Sequence, residues 1–187
     1  MARLPAVLDS RDLPLAELCA ARIDGELMRL GERWCPIDEP DLPALRAAAI
    51  APATPTSTIL ERRSAAWVHG ALAVPPRTIE CCVPHTERVS VRSIPSGVRL
   101  REVAITPDEV ASIGGIRCTR LDRTIYDLVR DPHAAPEVVG IVAGLLAIGP
   151  GAGQRARERI ERAHRMPHKS VALERLAEAA ARPEAAA

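Results

Sequence analysis

Residues 138–148, Val-Val-Gly-Ile-Val-Ala-Gly-Leu-Leu-Ala-Ile, form a run of 11 residues with no charge and no side-chain polar atom. A bilayer crossing needs about 20 such residues, so this run cannot span one. Apolar nearly all round, it reads as a helix buried on several sides, and the rest of the chain must supply its cover. Gly140 and Gly144, at i and i+4, would let another backbone approach closely. The string Gly149-Pro150-Gly151-Ala152-Gly153 breaks the helix. Beyond it, residues 154–165 read as a charged helix with Glu158/Arg162 and Glu161/Arg165 pairs, and an amphipathic helix follows from Ser170.

The clearest helical period lies in residues 60–72, where Leu60, Ser64, Trp67, Val68 and Ala71 share one face. Thr58 and Glu61 have the spacing of a capping box that would start this helix. Trp67 reads as core. Arg62, Arg63 and His69 point away from that face, and His69, before Gly70, stands where an imidazole suits the free carbonyls of a helix end.

Strand-like runs follow at residues 78–83, 89–94 and 98–105. Pro95-Ser96-Gly97 would join the second and third as an antiparallel hairpin. In the third, Val98 and Leu100 alternate with Arg99 and Arg101, which predicts one buried and one wet face. Thr106-Pro107-Asp108-Glu109 has the N-cap, N1 and N3 residues of a helix, expected to stop at Gly114-Gly115. Residues 116–119 read as a short strand, and a helix from Thr119 would carry Leu121, Ile125, Leu128 and Val129 on one face.

Near the N-terminus, residues 12–23 read as a helix with Leu15, Leu18, Cys19 and Ile23 on one side. A hairpin of residues 26–30 and 33–37 around Gly31-Glu32 comes next, as in the second half of a winged helix-turn-helix. Residues 42–50 form a short helix, and Ala51-Pro52-Ala53-Thr54-Pro55-Thr56 is the best linker. The expected class is α+β. A truncated winged-helix-like unit (residues 1–51), a linker (52–57), a small mixed or antiparallel sheet packed with helices (58–149) and a helical C-terminal extension (150–187) follow in order.

Composition narrows the chemistry. With no Phe, one Tyr and two Trp, aromatic platforms for stacking single-stranded bases are nearly unavailable. The net charge is +1, and its distribution, −3 over residues 1–56, +3 over 57–130 and +1 over 131–187, makes the middle the natural home of a polyanion contact. The candidates for such a contact are Arg22, Arg29 and Arg33 on the helix–hairpin, Arg62 and Arg63 at the central helix, and Arg99 and Arg101 on a strand face. A solvated or salt-bridged face is the competing reading for Arg62 and Arg63.

No zinc-protease, P-loop or His/Cys ligand spacing occurs, and the single lysine, Lys169, has no carboxylate partners in sequence. No catalytic residue, metal, cofactor or small-molecule substrate is therefore expected, and a nuclease is the least favoured reading. The five cysteines, with no C-x-x-C pair, read as reduced thiols. Residues 1–5 lack an apolar signal core, and a cytoplasmic chain is expected.

The order of motifs resembles the AbiEi family of antitoxins, actinobacterial transcriptional regulators. The residues that carry the resemblance are Gly25-Glu26-Leu27 before the hairpin, Ser64-Ala65-Ala66-Trp67-Val68-His69-Gly70, and Thr119 with Arg123-Thr124-Ile125-Tyr126-Asp127-Leu128. The resemblance covers roughly residues 15–147, with the N-terminal winged helix shortened. It implies a non-enzymatic protein whose winged helix contacts operator DNA and whose second domain neutralises a nucleotidyltransferase toxin. A protein-interaction module without DNA binding is the alternative.

Overall fold

The computed structural model describes residues 5–87 and 94–182. The chain is α+β, with seven α-helices, a two-stranded antiparallel sheet and a five-stranded mixed sheet among those residues. In order they are α1 (Leu15–Ile23), β1 (Leu27–Leu30), β2 (Arg33–Pro36), α2 (Pro43–Ile50), β3 (Ile59–Leu60), α3 (Arg62–His69), β4 (Ile79–Pro84), β5 (Val98–Val103), β6 (Val110–Ile113), β7 (Ile116–Thr119), α4 (Leu121–Val129), α5 (Val138–Ile148), α6 (Ala152–Arg162) and α7 (Lys169–Ala181). No helix among the described residues is long and apolar enough to cross a membrane.

The larger sheet is built around two residues. β3 is its middle strand in the order β5-β4-β3-β7-β6, antiparallel to β4 and parallel to β7. Because side chains alternate along a strand, Leu60, Cys81 and Cys118 face the core shared with α2 and α3, while Ile59 and Cys82 face a second cluster with Val103. α5 is enclosed as its sequence requires, packed with α3, α4, α6 and α7 around Val142 and Leu145. Gly144 lies against the backbone of Ala71, whereas Gly140 meets the Arg182 guanidinium, so the two glycines serve different neighbours.

Several expectations are corrected. The helix predicted over residues 60–72 is shorter, because Leu60 is drawn into β3 and Glu61 becomes the N-cap. Thr58 and Glu61 form no capping box: the Thr58 hydroxyl donates to Pro55 O, and the Glu61 carboxylate accepts from Arg101. The helix expected after Thr106 is a single 3-10 turn, Pro107–Glu109, although its capping box does form. The chain then turns into β6, whose Val110 and Ile113 pair with β7 across Gly114-Gly115, both at positive φ. Two adjacent left-handed residues make the tight turn whose twist suits a hairpin, and that pairing outweighs the local helix signal.

β5 runs parallel to β4, from Ile79↔Val98 to Pro84↔Val103. The strand predicted at residues 89–94 falls almost wholly outside the described residues. Leu15, Cys19 and Ile23 do not form a buried face. Leu18 is the buried residue of α1, with Leu15 57% and Ile23 84% exposed. Residues 52–57 link the chain without separating the packing, since Leu45, Ala47 and Ile50 of α2 share a core with Leu60, Trp67 and Val68. The five cysteines are free thiols, and Cys19 is the exposed one.

Gly114 is held at φ +56°, and a Cβ there would lie 2.9 Å from Ala44 O on α2. Gly97 has φ +87° with open space around it. Gly114→Ala is therefore expected to lower the thermal midpoint by about 3–10 °C, and Gly97→Ala by clearly less. Scanning calorimetry of the two variants checks this.

Candidate functional site

The start of α3 is clamped to β4 by reciprocal bonds. The Ser64 hydroxyl accepts from the Glu80 amide at 2.8 Å, and the Glu80 carboxylate accepts from the Arg63 amide at 3.0 Å. Glu80 thereby satisfies a free N–H of the first turn and places negative charge at the positive end of the helix. Arg62, at φ +47°, donates to Asp131 at 2.7 Å, and its side chain is 11% exposed. Arg63 donates to Glu137 at 3.0 Å, and Arg99 lies 3.9 Å from Glu80.

On the sheet face bearing Ile59, five charged side chains alternate in sign. Arg101 grips both oxygens of Glu61, at 2.7 and 2.5 Å, and approaches Asp127 at 3.8 Å. Arg123 donates to Asp127 at 2.7 Å and to Glu109 at 2.9 Å. Arg159 of α6 closes the far end against Glu109. Burial pushes the Glu61 carboxyl upward, and the Arg101 pair pulls it back. Arg101, predicted on a wet strand face, thus belongs to a mostly buried network. Arg123 also donates to Ala104 O at 2.9 Å, which ties α4 to the residue after β5.

His69 Nε2 lies 2.8 Å from Thr119 O and therefore carries the proton it donates. Burial pushes this imidazole below its usual pKa, the bond to Thr119 working the other way. The histidine thus joins the end of α3 to β7 rather than capping its own helix. Gly70 ends α3 in the left-handed conformation, φ +101°. Thr124 and Thr119 share a buried hydroxyl contact of 2.7 Å. Trp67 is core, and behind it Arg46 donates to Trp67 O and Leu72 O while pairing with Asp41. That hydrogen bond to Arg46 holds the Asp41 carboxyl below the ordinary range.

The N-terminal candidates stand apart from this network. Arg29 stacks over the Trp34 ring at 4.5 Å and lies 3.5 Å from Glu32, and Arg33 pairs with Asp9. Arg22 is exposed and has no carboxylate partner among the described residues. The structure therefore gathers Arg62, Arg63 and Arg99 around Glu80 and Asp131, takes Arg101 into the buried network, and leaves Arg22, Arg29 and Arg33 on the helix–hairpin. Sequence reasoning missed Arg46, Glu80 and Arg159. It also missed Arg175, which donates to Val129 O and Asp131 O at the end of α4. No short motif contains these residues; the one local signal was the Arg123/Asp127 spacing at i, i+4.

Three outcomes follow. Ser64→Ala would strand the Glu80 amide and is expected to cost about 1–3 kcal/mol of stability. Asp127→Ala would leave Arg123 and Arg101 undercompensated and is expected to cost about 3–5 kcal/mol. Denaturant titration measures both. The depressed His69 stays neutral in the folded state while the unfolded chain takes up a proton, so its contribution is lost as pH falls below the usual imidazole value. His69→Gln should therefore lose less stability than the parent between about pH 7 and about pH 5, as urea midpoints would show.

No family model matches the chain, and no curated protein matches it. Among solved structures, the RV2827C protein from Mycobacterium tuberculosis is similar, at 17% identity over 93% of this chain and 76% of that one, with a TM-score of 0.38. A likeness that distant carries no argument about function.

Proposed function

We propose that the chain is a non-enzymatic regulator of the AbiEi antitoxin kind that acts chiefly by docking a protein partner, a nucleotidyltransferase-type toxin. One observation carries the reading. The outer face of α1, where a winged helix would present its recognition residues, exposes Leu15, Cys19 and Ile23 at i, i+4 and i+8. Its one cation is Arg22, which has no carboxylate partner among the described residues and lies in sequence near Glu17, Asp24 and Glu26. Apolar side chains flanked by carboxylates suit a protein surface better than a phosphate backbone, whose affinity comes from many free Lys and Arg contacts.

Operator DNA is the secondary contact in this reading. The module without DNA binding is favoured by a separate observation: six of the seven candidate arginines already face a carboxylate, Arg22 being the exception. A cation engaged by its own chain releases little counterion on meeting a phosphate.

Two measurements separate these readings. Ile23→Glu is expected to weaken the complex with a nucleotidyltransferase encoded beside this gene at least tenfold by calorimetry, with no change in thermal midpoint. Unchanged affinity would remove α1 from the interface, and no complex with the parent protein would end the antitoxin reading. A promoter fragment from the protein's own operon should shift at roughly 50 mM salt and be released by roughly 200 mM. Absence of any shift would leave the interaction module as the function.

A further inference from the structure

A cleft of about 500 Å³ opens between the β1–β2 hairpin, the end of α2, Trp67 of α3 and residues 73–79. That volume falls within the roughly 300–1,000 Å³ of small-molecule sites. Leu30, Ile50, Val74, Pro75 and Ile79 give it apolar walls. Trp67 lines it from the core, and the indole Nε1, on a side chain 1% exposed, has no hydrogen-bond partner among the described residues. Buried N–H donors are rarely left unpaired, so an orphan beside a cleft points to an acceptor that the chain itself does not supply.

The rim has a sign as well. Arg29, Arg33 and Arg77 line it against Glu32 alone. Arg33 is committed to Asp9, and Arg29 donates to Gly31 O beside Glu32. Arg77 is exposed, with no carboxylate partner among the described residues. The cleft therefore offers an apolar slot, one buried donor and one uncommitted guanidinium.

We propose that this cleft binds a small amphipathic monoanion: an apolar body with one hydrogen-bond acceptor for the Trp67 indole and a carboxylate for Arg77. Such a site lies beyond the partner and DNA contacts above, and neither proposal stands or falls with the other. Because the hairpin forms one wall and α2 and α3 the other, an occupant would bridge the N-terminal unit and the central sheet unit.

The chain has two tryptophans, so a nitrogen-labelled spectrum contains two indole signals, and Trp34→Phe assigns them. Benzoylpropionate, which has a ring, a ketone and a carboxylate, is the probe. It should shift the Trp67 indole and the Ala49 and Ile50 amides while leaving the Trp34 indole in place. Phenylbutyrate, which lacks the ketone, should bind about three- to tenfold more weakly and leave the Trp67 indole nearly unmoved. Arg77→Gln should weaken benzoylpropionate about two- to fivefold and leave butyrophenone, which lacks the carboxylate, unaffected. Ala53 is exposed on the cleft lining, so Ala53→Phe should block the cleft without disturbing the core. Absence of any Trp67 shift up to about 10 mM probe, or a shift that persists in Ala53→Phe, would overturn the proposal.

Discussion

The series Glu61–Arg101–Asp127–Arg123–Glu109, with Arg159 at its end, is the constraint on which the central architecture depends. It joins β5, the residue between β3 and α3, helix α4, the 3-10 turn and helix α6. Isolated buried charges cost several kcal/mol each, so every member requires the next. A series of this kind adds less net stability than an apolar core of equal volume. What it contributes is discrimination: a slipped register of β5 or a rotated α4 would leave a charge buried without its partner. Cys82 shows how low the local polarity is, because burial first and then Glu61 and Asp127 drive its thiol far above the usual range.

This network changes what the Ser-Ala-Ala-x-x-His-Gly and Arg-Thr-x-x-Asp strings mean. Each conspicuous residue in them has a contact within the chain: Ser64 with the Glu80 amide, His69 with Thr119 O, Arg123 with Asp127, and Gly70 as a left-handed helix end. Ala65 and Ala66, both fully buried, bring α3 close to its neighbours. The motifs describe how a helix is fastened to a sheet, and they place no reactive group in solvent. A resemblance built on them speaks for a shared framework before it speaks for a shared activity.

The sequence was most legible where pattern and packing agree. The enclosure of α5 could be read from 11 uncharged residues, and the β1–β2 hairpin from two short runs around Gly31. Reading failed where a distant partner outweighed a local signal. Thr58 and Glu61 have capping-box spacing, but Arg101, 40 residues away, takes the carboxylate. Thr106 to Glu109 do form their box, but the β7 edge then claims Val110 to Ile113 as a strand. Leu15, Cys19 and Ile23 show the opposite failure: their spacing is regular, and no described residue covers them. The arginines of the candidate site were readable as charge and unreadable as partners, since Arg62 finds Asp131 at a separation of 69 residues.

The two proposals both involve the N-terminal helix–hairpin. Cations around the central helix are held by carboxylates of the same chain, and freeing one for a phosphate would expose its partner's charge as well. On the helix–hairpin Arg29 and Arg33 are held in the same way, and Arg22 alone has no carboxylate partner among the described residues. The hydrophobic cluster of the helix–hairpin is small, Leu8, Leu18, Leu27 and Trp34, and it meets the central unit across a cleft walled by Leu30 and Ile50. The α1 face exposes apolar side chains, and the cleft is lined by Trp67, whose indole N–H has no partner among the described residues. No residue of the buried ion network lines that cleft or belongs to α1, so a partner on α1 or an occupant of the cleft would leave every ion pair of the network in place.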